Sequence, residues 1–143
     1  MPDGVTRLVI GGILFLHGIA HGGAIGALWW ISSRPGTDTG GWEAARMWAA
    51  PGLSATVATG VAVAFWTSAI VAFVVAAFGF WGVIVPAEWW RPAAVIGATI
   101  SLVGIVLFAG TWPIFNTLAA VAVNVGVLIA VFVLGWSARP VGT

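Results

Sequence analysis

Four stretches of this chain are long, apolar and uncharged except where they start. They run over about residues 6–31, 60–85, 91–110 and 113–136. A helix needs roughly 20 residues, rising about 1.5 Å each, to cross a hydrocarbon layer about 30 Å thick. Valine is abundant in these runs, and in water some of them would suit strands. In lipid an open sheet edge leaves backbone groups without partners, and the runs exceed the roughly 9–11 residues of a barrel strand. The expected fold is therefore all-α and integral to a membrane. It is an up-down bundle of four transmembrane helices, with residues 1–143 forming one domain.

Composition narrows the function classes. The chain is 61% hydrophobic and 6% charged, where soluble domains carry about 25% charged residues. Its net charge of +1 offers no basic stripe of the kind that nucleic acid requires. Cysteine is absent, which excludes disulfides, thiol redox chemistry, iron–sulfur ligation and zinc–thiolate sites. The N-terminal run lacks a small-residue cleavage pattern and reads as a retained helix rather than a signal peptide.

Punctuation sets the boundaries. Pro86 is expected to stop the second helix. Pro92 and Pro113 suit first helical turns, where the missing N–H costs nothing, and Thr111 suits an N-cap. The link Gly110–Pro113 is so short that the third and fourth helices should form an antiparallel hairpin. Residues 32–59 are the one long connection. Within it, residues 42–50 (WEAARMWAA) suggest a short interfacial helix between helices 1 and 2, ended by Pro51-Gly52. Most tryptophans fall at span ends, as an interfacial belt would place them, and only Trp66 lies well inside one. With four spans both termini share a side. That side carries Arg7, Arg91 and Arg139 against Arg34 and Arg46 on the other, a bias that favours cytoplasmic termini.

His17 and His21 flank the midpoint of the first span. Residues four apart share a helix face, and polar groups in hydrocarbon turn toward the bundle interior. Several roles fit such a pair: structural hydrogen bonding, metal or haem ligation, a proton or quinone role, or binding of another small molecule. The spans contain no Asp, Glu or Cys to complete a metal site, and a di-iron carboxylate centre is excluded. Asn124, near the middle of the fourth span, is the expected companion, so His17, His21 and Asn124 form the candidate buried polar cluster or ligand site. Asn116 is shallower. Thr67, Ser68, Thr99 and Ser101 are expected to bond carbonyls of their own helices. Gly18, Gly22 and Gly26 form a small-residue stripe suited to close helix packing, within the chain or in a dimer.

The motif HGxxH (His17, Gly18, His21), the WWRP of Trp89–Pro92, and Asn124 beside Gly126 together resemble small four-helix bacterial membrane proteins. In general plan these resemble the DoxX-like group. The resemblance implies a bacterial cytoplasmic (inner) membrane location and a redox-accessory role beside quinone-reducing oxidoreductases; no catalytic residue transfers with it. The expected function is a non-catalytic accessory or structural membrane subunit, in contact with the lipid bilayer and with a homo-oligomer or larger membrane complex. No cofactor is the favoured expectation. The alternative is a redox-accessory or small-molecule-binding protein that holds quinone, haem or metal through His17 and His21, and a small transporter stands third.

Overall fold

The computed structural model describes residues 4–33, 47, 50–109 and 112–136. Among them are four α-helices and no strands: α1 (Gly4–Ser33), α2 (Ala55–Trp81), α3 (Trp90–Leu107) and α4 (Ile114–Phe132), with one 3-10 turn at Ala87–Trp89. Each α-helix is long and apolar enough to cross a membrane.

Local chemistry explains where the helices begin and end. α2 starts at Ala55, earlier than the expected residue 60, because Ser54 caps it: the Ser54 side chain accepts from the Val57 N–H. It also stops earlier than residue 85. Gly82 takes a left-handed conformation (φ 71°), its N–H bonds Gly79 O, and the Val83 N–H reaches Phe78 O. This paired closure satisfies carbonyls that the last turn would otherwise leave open, so Gly82 ends the helix before Pro86 is reached. α3 takes over directly from the 3-10 turn, with Pro92 in its first turn. α4 follows Pro113, which sits one residue outside the helix, and closes at Phe132, short of residue 136. Thr111 and the greater part of the segment 42–50 lie outside the described residues. Met47 is described, and packs against the apolar cluster at the far end of α1.

The helices pack in chain order, α1 on α2, α2 on α3 and α3 on α4. α2 is the central element; Trp66, Phe73 and Phe80 are its largest buried side chains. Two apolar clusters form. One gathers Leu14, Phe73, Phe80, Trp90, Ala94 and Val131, and the other gathers Ala24, Leu28, Ala62, Trp66 and Phe108. On α1, α3 and α4 the residues between these clusters are His17 and His21, Ser101, and Asn124. The bundle is thus two apolar halves with one polar layer between them.

Candidate functional site

The polar layer is built by three helices. His21, Ser101 and Asn124 are buried, with at most 2% of their surface exposed, and His17 is half-buried. His17 Nε2 lies 2.9 Å from Asn124 Oδ1. Asn124 Nδ2 donates to Ser101 Oγ at 2.7 Å. Ser101 Oγ lies 2.8 Å from His21 Nε2, and His21 Nδ1 lies 2.9 Å from the backbone oxygen of His17. The contacts form a closed circuit that ties α1 to α3 and α4.

One atom fixes every proton in that circuit. A carbonyl oxygen can only accept, so His21 Nδ1 carries a proton. The spans hold no carboxylate to face an imidazolium, and an unpaired charge among apolar side chains is costly, so the ring is neutral and His21 Nε2 is a lone pair. Ser101 must then donate its hydroxyl proton to His21, and its oxygen accepts from the Asn124 amide. That turns Asn124 Oδ1 toward His17, whose Nε2 therefore donates. Each of the four contacts then pairs one donor with one acceptor, and the low-dielectric surroundings strengthen such a network.

α2 gives the layer aromatic walls. The Phe73 ring meets His17 edge-on at 4.8 Å between centroids and stacks on His21 at 6.0 Å. Trp66 lies 5.9 Å from His21 and 4.6 Å from Trp112. Trp66 Nε1 is buried without a hydrogen-bond partner.

The structure brings His17, His21 and Asn124 together. It also adds Ser101, which bonds His21 and Asn124 rather than the expected carbonyl of its own helix. Thr67, Ser68 and Thr99 are exposed, whereas Ser101 is buried. Ser101 shares a face of α3 with Ala94, Gly97, Ala98 and Gly104, all buried; small residues suit a face to close approach, and packing decides that other helices take this one up. The glycine stripe on α1 is not one seam. A Cβ at Gly18 would stand 2.9 Å from Phe73 Cβ and 3.5 Å from Ile70 O, so α2 touches α1 there. At Gly22 the nearest atom, Ile70 Cδ1, is 3.9 Å away, and at Gly26 nothing lies within 4 Å.

Two arginines have structural roles that the charge count had not assigned. Arg7 donates through Nε and Nη2 to Phe80 O, at 3.3 and 3.1 Å, and Arg91 Nη2 donates to Val131 O at 2.9 Å. Each satisfies a carbonyl in the last turn of a neighbouring helix, where positive charge also suits the helix dipole. Trp90, expected in the interfacial belt, is instead buried against Phe80.

Beside the polar layer, α1 and α4 stand apart and leave a groove. One lobe, about 310 Å³, is lined by His17, His21, Trp112, Asn116 and small residues of both helices. A second lobe, about 250 Å³, is lined by apolar side chains. Val123 borders both lobes. As a metal centre the site has little to offer: both His Nε2 atoms are engaged in the circuit, and the described residues hold no group of three or more His, Cys, Asp or Glu side chains. Comparison with protein-family models, curated proteins and solved structures finds no match for this chain.

Proposed function

We propose that this chain is a non-catalytic accessory or structural subunit of a membrane complex, in which the polar layer holds the bundle in one register. The observation that carries this reading is the closed circuit itself. His17, His21, Ser101 and Asn124 hydrogen-bond one another across three helices, at the depth where such groups are most costly to leave unpaired. A single buried polar arrangement of this kind specifies register even where it adds little stability.

The helices run up and down, with both termini on the cytoplasmic side of a bacterial inner membrane. The arginine contacts support this order: Arg7, near the start of α1, meets the end of α2, and Arg91, at the start of α3, meets the end of α4. The outer face of α4, including Phe115, Leu118, Ile129 and Phe132, is exposed and is available to lipid or to a further subunit.

The test is purification of the full chain from its native membranes in mild detergent, followed by native mass measurement. A defined assembly well above the 14.7 kDa of one chain is expected. Recovery of the single chain alone would overturn the subunit reading, and extraction by alkaline carbonate would overturn membrane integration. A second reading, small-molecule binding beside the histidines, is favoured by one observation, the groove between α1 and α4.

A further inference from the structure

We infer that the α1–α4 groove binds a lipid-soluble alcohol or phenol with one apolar tail, and that its hydroxyl group donates a hydrogen bond to Nδ1 of His17. This rests on the second reading above and specifies the ligand.

The argument starts from the one lone pair that the circuit leaves over. Neutral His17 donates through Nε2 to Asn124, so its Nδ1 is an acceptor. No hydrogen bond to Nδ1 occurs among the described residues, and Nδ1 is not among the sealed polar atoms without partners. His17 lines the larger lobe of the groove. A ligand hydroxyl seated in that lobe supplies a donor for the lone pair.

The circuit also says what His17 rejects. A ligand that offers only an acceptor, such as a ketone or an ether, can bond His17 only with a proton on Nδ1. Moving it there from Nε2 turns the Asn124 amide around, so that Asn124 Oδ1 faces Ser101. Ser101 then gives its proton to Asn124, and its oxygen faces the lone pair of His21 Nε2. His21 cannot correct this by shifting its own proton, because Nδ1 is held to the His17 carbonyl. An acceptor ligand bonded to His17 therefore breaks a bond in the layer or creates a charge, and a donor ligand leaves the layer intact.

The shape fits the same class. At about 310 Å³ the larger lobe is at the lower end of ordinary small-molecule pockets, roughly 300–1,000 Å³. It takes a ring or short head, with Trp112 and Phe115 as flat walls. The second lobe, bordered by Ile13, Leu14 and Val127, takes the tail. Small residues keep the space open: a Cβ at Gly23 or Gly126 would meet nothing within 4 Å.

The test compares 4-hexylphenol with 4-hexylanisole, which replaces the hydroxyl by a methyl ether, on the full chain in detergent micelles. Binding is followed by titration, and the imidazole nitrogens by ¹⁵N NMR. The phenol should bind roughly three- to tenfold tighter than the ether, the range of a single net hydrogen bond, and it alone should shift the His17 Nδ1 resonance. Gly23→Leu should fill the groove and abolish binding of both compounds while the circuit's resonances persist. Equal affinity for the two compounds, an unmoved Nδ1 resonance with the phenol bound, or unchanged binding in Gly23→Leu would each overturn the proposal. Neither the native mass nor carbonate extraction enters this measurement, so it fails or stands apart from the subunit reading.

Discussion

Nδ1 of His21 donates to the backbone oxygen of His17, four residues earlier on the same helix, at 2.9 Å. This bond within one helix orients hydrogen bonds that cross to two others. It turns His21 Nε2 into an acceptor, Ser101 into its donor and Asn124 into the link back to His17. A change at any member of the circuit is therefore felt by the rest.

Ser101 is the most informative member to remove. Ser101→Ala takes away the one atom that both receives from Asn124 and gives to His21, leaving two buried polar groups without partners. Chemical unfolding in micelles should show a loss of about 1–3 kcal/mol. Thr99→Ala, at an exposed position of the same helix, should stay within about 0.5 kcal/mol. Equal effects at the two sites would remove the case for a special role of Ser101.

The glycines of α1 should separate on substitution. Gly18→Ala places a methyl group 2.9 Å from Phe73 Cβ, closer than carbon atoms pack, and should cost about 1–3 kcal/mol as α1 and α2 are pushed apart. Gly26→Ala meets nothing within 4 Å and should be neutral or stabilising by up to about 1 kcal/mol, since alanine is the better helix former. Thermal unfolding of the two variants side by side decides this.

Arg7→Gln and Arg91→Gln should each lower stability by about 0.5–2 kcal/mol, through the loss of a charged donor at the C-terminal turn of a neighbouring helix. Arg7→Lys should recover part of the loss, because it keeps the charge but not the fork that reaches Phe80 O with two nitrogens. If Lys behaves as Gln, the interaction with the helix end is not electrostatic.

Ile84 is a β-branched residue at φ 68°, a conformation that is strained for any side chain carrying a Cβ. The residue is 87% exposed, so packing gives little in return. Ile84→Gly should raise the unfolding free energy by about 1 kcal/mol. A loss of stability would show that the side chain has a partner in the membrane-bound protein.

The sequence by itself determined the four long apolar helices among the described residues, their approximate ranges and the placing of both histidines on one face of the first. These follow from the length of apolar runs and from a helical repeat that puts residues four apart on one face. It also marked Asn124, because an amide at mid-span needs a partner and few are available. It did not determine where α2 ends. Gly82 and Pro86 are both credible stops, and the choice fell to the hydrogen bonds that Gly82 closes onto Phe78 and Gly79. Nor did it separate Ser101 from Thr99, or Gly18 from Gly26. Members of each pair have similar chemistry along one helix, and they differ only in what stands opposite: His21 and Asn124 facing Ser101, Phe73 facing Gly18, and open space beside Gly26. The tertiary structure alone decides such differences, because they depend on the rotation of each helix about its axis. That rotation is set jointly by all the neighbours against which the helix packs.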